Sequence, residues 1–149
     1  APFAHYFASG FTEYAPVAAE TVATAIKIGN PASTKRARRS IEQTNGVVTT
    51  VSDEEILDAK AEIDRVGIGC EPASAASLAG LRRLIADGVL SADVDAVCLL
   101  TGHVLKDSEA IVNYHLGDGS EDRAGANRPI RVAADLSALE QALANALHS

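Results

Sequence analysis

The sequence predicts an α/β fold, a mostly parallel sheet flanked by helices. Three observations carry this expectation. Residues 47–51, 96–100 and 130–133 are short runs of apolar and β-branched side chains, the composition of buried strands. Longer stretches with apolar residues at helical spacing separate these runs. No hairpin signal joins two of them, so helices are left to make the connections, as in parallel sheets.

Taken in order, the chain opens with Phe3, Tyr6, Phe7, Phe11 and Tyr14, five of its six aromatic residues. Their spacing predicts a short helix ended by Gly10, in a segment that packs on something. A helix is expected over residues 20–28, with Val22, Ala25 and Ile26 inward, Gly29 as its left-handed stop and Pro31 beyond. Ser33 then caps a second helix to about Thr44, closed by Asn45-Gly46. Its cluster Lys35-Arg36-Ala37-Arg38-Arg39 reads as a solvated face or as a contact for a phosphate or carboxylate.

After the strand at 47–51, Ser52-Asp53-Glu54-Glu55 is a capping box, in which the Ser hydroxyl and the Glu carboxylate each satisfy a free backbone N–H. The helix it opens carries Ile56, Ala59, Ile63 and Val66 on one face, and Gly67 and Gly69 break it. Pro72 suits the first turn of the next helix, which runs to about Asp87. The first half of that helix is nearly all Ala, Ser and Gly, which allows tight packing or the close approach of a ligand. The strand at 96–100 leads into Thr101-Gly102-His103. Residues 111–116 are ambiguous, 117–128 form a polar loop, and after the strand at 130–133 Asp135 caps a final helix with Leu136, Leu139, Leu143 and Leu147 inward.

Size and charge bound the function. The 149 residues suit one ordinary domain with one core, and 47% of them are hydrophobic, which disfavours disorder. No run of about 18 apolar residues occurs, so no membrane span is expected. A formal charge of −7 without a basic stripe argues against nucleic acid. Cys70 and Cys98 have no metal-ligand spacing and no secretory signal precedes them, so a reducing, cytoplasmic setting and no metal site are expected. The chain has no Met at its start or elsewhere, and it is expected to be cut, processed or one part of something larger.

Four stretches, in order, resemble the threonine synthase family, pyridoxal-phosphate enzymes of the tryptophan-synthase β-like fold. They are residues 16–33, with Ile26-Lys27-Ile28-Gly29-Asn30-Pro31-Ala32-Ser33 at their end; Val51-Ser52-Asp53-Glu54-Glu55-Ile56; Glu71-Pro72-Ala73-Ser74-Ala75-Ala76-Ser77-Leu78-Ala79-Gly80; and residues 100–107, which include Thr101-Gly102-His103-Val104-Leu105-Lys106-Asp107. The resemblance is to the C-terminal part of the family and covers roughly residues 1–107, leaving 108–149 as a C-terminal extension of loop, strand and helix. It implies a lyase of threonine biosynthesis that converts O-phospho-L-homoserine and water to threonine and phosphate. The family binds its cofactor through a Schiff-base lysine and a Gly/Asn-rich phosphate loop, both N-terminal to the matched region. None of Lys27, Lys35, Lys60 and Lys106 has the context of that lysine. The expected partners are therefore a missing N-terminal half, the small-molecule substrate and, when complete, further copies of the chain. Alone, the chain is expected to be inactive.

By the same resemblance Thr101 donates or accepts at the cofactor's ring nitrogen, and Glu71 and Ser74 lie near the cofactor, while no catalytic residue is assigned within the chain. Read from the residues alone, Thr101 also suits a strand-end hydroxyl capping local backbone, and Glu71 a carboxylate at a helix N-terminus. Cys70 and His103 suit structural roles, and Lys106-Asp107 a local ion pair or a loop anchor. Two other functions fit the same residues: a threonine dehydratase-like lyase of the same fold, and a non-catalytic α/β binding module.

Overall fold

In the computed structural model the described residues are 1–123 and 125–147, and the chain divides into two compact units, Ala1–Ala110 and Ile111–Ser149. Helix α1, Pro2–Ala8, starts on a proline, where no N–H is needed, and ends before Gly10, whose φ is +65°. Its aromatic residues pack on the segment that follows: the Tyr6 ring meets Phe11 edge-on at 5.1 Å and Tyr14 at 5.5 Å. The Arg38 guanidinium covers the other partner, 5.1 Å from the centre of the Phe11 ring.

The helix expected over residues 20–28 is not formed. A single 3-10 turn, Thr24–Ile26, stands in its place. Asp53 is the reason: its carboxylate accepts from the Thr21 hydroxyl at 2.5 Å and from the Val22 N–H at 3.1 Å, fastening the backbone in an irregular path. Gly29 serves a different purpose from a left-handed stop. Its carbonyl accepts from the Val17 N–H at 3.0 Å, and a Cβ at Gly29 would sit 2.0 Å from the Val17 carbonyl oxygen.

Helix α2, Thr34–Thr44, ends at Asn45 in the left-handed conformation, and Ser33 at its N-cap makes no side-chain cap bond. Lys35, Arg36 and Arg39 are exposed, whereas Arg38 pairs with Glu42. Helix α3, Asp53–Arg65, has its full capping box: the Glu55 N–H donates to Ser52 Oγ at 3.2 Å and the Ser52 N–H donates to Glu55 Oε2 at 2.7 Å. Helix α4, Pro72–Ala86, packs against α3. Ile56, Ala59 and Ile63 of α3, Ala75 and Ala79 of α4, and Ala23 and Cys70 form the core. Val66, expected on the inner face, falls at the C-cap of α3 and is exposed. The small side chains of α4 are used twice. Ala75 and Ala79 allow the helices to close on each other, while Ala76 and Gly80 line an open cleft of about 630 Å³ bounded by Thr21, Ile26, Thr49 and Val51.

The expected mostly parallel sheet is absent, which corrects the α/β class: the described residues are helical with no strand, and their one β contact is an isolated antiparallel bridge between Cys70 and His103. An extended segment becomes a strand only when another lies alongside at about 4.8 Å to take its backbone hydrogen bonds. Residues 47–51 and 96–100 have no such neighbour among the described residues, although Val51 and Leu100 pack on the core. The alternation of a strand survives in residues 97–100: Val97 and Leu99 are 90% and 73% exposed, while Cys98 and Leu100 are half-buried. Residues 130–133 are likewise unpaired and exposed.

Helix α5, Ser108–Leu116, makes the ambiguous stretch helical. In the second unit the Arg123 guanidinium lies 4.8 Å from the Tyr114 ring centre and donates to the Tyr114 carbonyl at 2.9 Å, and the Asn127 N–H donates to His115 Nδ1 at 3.0 Å. Helix α6, Leu136–Leu147, is capped by Asp135, whose carboxylate accepts from the Ala138 N–H at 2.9 Å. Its leucines, expected inward, are exposed, Leu147 the most at 83%. No helix among the described residues is long and apolar enough to cross a membrane.

Candidate functional site

The first turn of α4 and the loop at residues 101–107 meet at Gly102. The Ser74 hydroxyl oxygen accepts from the Gly102 N–H at 2.9 Å, and the Glu71 N–H donates to the Gly102 carbonyl at 3.1 Å. Both backbone groups of Gly102 are thus held by α4 and its N-cap. The Cα of Gly102 faces the Glu71 side chain so closely that an added Cβ would sit 1.8 Å from Glu71 Oε1. A larger residue there would displace the Glu71 carboxylate, and the sequence hides this coupling behind the plain triplet Thr-Gly-His.

Glu71 is the N-cap of α4 but makes no side-chain cap bond. Pro72 has no N–H to offer, and the carboxylate turns toward Gly102. The residue is 3% exposed. Its Oε2 is buried without a hydrogen bond, the single such side-chain atom among the described residues, and the Lys106 ammonium lies 3.4 Å away as a charge partner. A buried carboxylate oxygen without a donor costs free energy, so packing alone does not account for Glu71. The reading of Glu71 as a helix-terminus carboxylate fits its position and not its hydrogen bonds.

The loop is tied down at further points. His103 pairs with Cys70 in the isolated bridge, and its Nδ1 accepts from the Leu105 N–H at 3.2 Å. Asp107, at φ +53°, accepts from the Thr24 hydroxyl at 2.7 Å and from the Thr24 N–H at 3.3 Å. Lys106-Asp107 therefore anchors the loop outward, to Glu71 and to the 3-10 turn, and makes no ion pair within itself. Thr24 and the stretch at 16–33 join the site through this clamp, which no spacing in the sequence reveals. Thr101 stands at the rim. Its side chain is exposed and takes no hydrogen bond among the described residues. The structure brings Glu71, Ser74 and Gly102 into contact and sets Thr101 one residue from that contact.

Burial governs the nearby thiol and ammonium. Cys70 is fully buried, and burial pushes its thiol pKa up, with the Lys60 charge opposing and the Asp64 and Glu71 charges adding. Lys60, 3% exposed, is neutralised by Asp64 at 2.6 Å one turn along α3. Asp64 also accepts from the Cys70 N–H at 3.4 Å. Lys27 and Lys35 are exposed.

Known proteins match this chain. A family described as pyridoxal-phosphate dependent enzyme matches residues 1–102. A threonine synthase of Methanosarcina acetivorans is 50% identical over 95 residues, covering 63% of this chain and 24% of the relative. A threonine synthase of Methanocaldococcus jannaschii is 40% identical over 125 residues, 83% of this chain and 28% of the relative. The chloroplastic threonine synthase 2 of Arabidopsis thaliana is 33% identical over 151 aligned positions, 99% of this chain and 29% of the relative. The chain spans about a quarter of the length of these curated relatives. The matched residues 1–102 include α4, Glu71, Ser74, Thr101 and Gly102, and by that match the chain belongs to the pyridoxal-phosphate dependent enzyme family.

Proposed function

We propose that this chain supplies the ring-nitrogen side of the cofactor site of a threonine synthase, in which O-phospho-L-homoserine and water become threonine and phosphate. One observation carries the reading: the contact of Glu71, Ser74 and Gly102 beside Thr101, with a buried Glu71 oxygen that lacks a hydrogen-bond donor. These residues fit pyridoxal phosphate. Thr101 offers an exposed hydroxyl, Gly102 lets the backbone approach closely, and Glu71 holds a charge at the wall. When bound, the cofactor acts as an electron sink for the substrate's carbon skeleton. Thr101 partners the ring nitrogen as a neutral group, which does not hold a proton on that nitrogen as a carboxylate would. Glu71, balanced by Lys106, stands buried against Gly102 beside it. On this reading the lysine that anchors the cofactor and the loop that holds its phosphate come from outside these residues: Lys60 and Lys106 pair with carboxylates, and neither Lys27 nor Lys35 has the sequence context of the family's anchoring lysine. The setting proposed is cytoplasmic, with both cysteines as free thiols.

The test is Thr101→Val in the complete enzyme that contains this chain. The variant keeps the shape and removes the hydroxyl. Loss of one buried hydrogen bond costs about 1–3 kcal/mol, an expected fall in kcat/KM of ~5- to 150-fold. Wild-type turnover and cofactor affinity in Thr101→Val would overturn the assignment. Absence of phosphate release from O-phosphohomoserine by the complete wild-type enzyme would overturn the reaction.

A further inference from the structure

We infer that Ser74 is a positioning residue for Thr101, acting through the Gly102 backbone and not by contact with the cofactor. The inference rests on the reading of Thr101 as the ring-nitrogen partner. Ser74 is 2% exposed. Its hydroxyl oxygen is spent on the Gly102 N–H at 2.9 Å, a bond that spans 28 residues of sequence. That N–H belongs to the peptide joining Thr101 to Gly102, so the hydrogen bond sets the plane of the group next to the Thr101 Cα. The Glu71 N–H holds the following carbonyl at 3.1 Å. The two bonds come from the N-cap and the third residue of one helix and fix the peptides on both sides of Gly102.

Thr101 itself has no side-chain restraint among the described residues, and residues 96–100 before it have no backbone partners. Leu100 before it packs on the core, and the hydrogen bonds that set the threonine's backbone arrive from its C-terminal side, through Gly102. Without Ser74 Oγ, the half-buried Gly102 N–H would lose its partner or would rotate to find another acceptor. In either case the Thr101 hydroxyl leaves its set direction. A shift of that size matters because hydrogen bonds weaken steeply as their angle departs from linear.

Two measurements test this. Hydrogen–deuterium exchange by mass spectrometry on the complete enzyme that contains this chain follows the overlapping peptides that cover Gly102, and Ser74→Ala is expected to speed exchange there about 10-fold or more. In the complete enzyme, the absorbance of the bound cofactor is followed across pH in wild type, Ser74→Ala and Thr101→Val. Ser74→Ala is expected to move the spectrum in the same direction as Thr101→Val with smaller amplitude, and to lower kcat/KM by ~5- to 30-fold. A wild-type spectrum and kcat/KM in Ser74→Ala, with both altered in Thr101→Val, overturn the positioning role and leave the Thr101 assignment standing. If Thr101→Val also behaves as wild type, the Thr101 assignment falls first and this inference with it. Should Ser74→Ala fail to fold, Ser74→Cys keeps a side chain of similar shape with a weaker acceptor. A partial shift then supports the role, and an unchanged spectrum overturns it.

Discussion

The Cα of Gly102 lies against the Glu71 side chain, and Cys70, next to Glu71 in sequence, is fully buried. Burial raises the Cys70 thiol pKa and hides its sulfur, whereas Cys98 is half-exposed. Reactivity follows the thiolate and its access. In the folded chain a thiol reagent at neutral pH is expected to modify Cys98 first, and Cys70 only after denaturant is added. Peptide mapping after timed labelling checks this, and equal rates at the two sites would contradict the buried placement of Cys70. At this scale the sequence is legible where chemistry is concentrated. Glu71, Ser74 and Thr101 stand out because dense, unusual stretches carry them. Gly102 and Thr24 lie in the same stretches, but their partners, 28 and 83 residues away in sequence, are encoded by no local pattern.

Among the elements, α3 has the most complete local code. Its capping box places the Ser52 N–H on the Glu55 carboxylate, and that bond, ahead of the pairing with Arg83, holds the Glu55 pKa below the usual carboxylate range. A carboxyl lowered on folding contributes stability that is fully present above its unfolded pKa, about 4.3, and lost as pH falls through the folded value. Glu55→Gln is therefore expected to lower stability at neutral pH and to converge with wild type at pH values below the folded pKa. Ser52→Ala removes the other half of the box and is expected to cost about 0.5–2 kcal/mol in the neutral range. Urea unfolding at a series of pH values separates the two variants. Helices α1 to α4 are legible because their starts and stops are written locally, in Pro2, Asn45, Ser52 and Pro72. The helix expected at 20–28 fails because Asp53, more than 25 residues away, captures Thr21 and Val22. The strands fail for a related reason. Residues 47–51 and 96–100 have strand composition and even strand-like alternation, yet pairing depends on a neighbour that local sequence cannot supply.

For the molecule as a whole, these unpaired segments leave apolar surface open. Val97, Leu99, Ile68 and Leu105 are each more than 60% exposed, and α6 presents a row of uncovered leucines in its own unit. Contiguous apolar patches of several hundred Å² are unusual on a monomer and mark surfaces that associate. The isolated chain is expected to self-associate in a concentration-dependent way, despite a charge of −7 that favours solubility. Light scattering coupled to size exclusion across a range of concentrations measures this, and a monodisperse monomer at every concentration would contradict it.

The loop at 101–107 also works as a ruler. Gly102 is fastened to Ser74, His103 to Cys70, Lys106 to Glu71 and Asp107 to Thr24. Each fastening is made to a fixed point elsewhere in the same unit, so the count of residues between them matters as much as their identity. Surface loops ordinarily tolerate insertion at little cost. Here one added residue between His103 and Lys106 is expected to strain either the Asp107 clamp or the Gly102 contact, so the length of this segment is itself part of its structure.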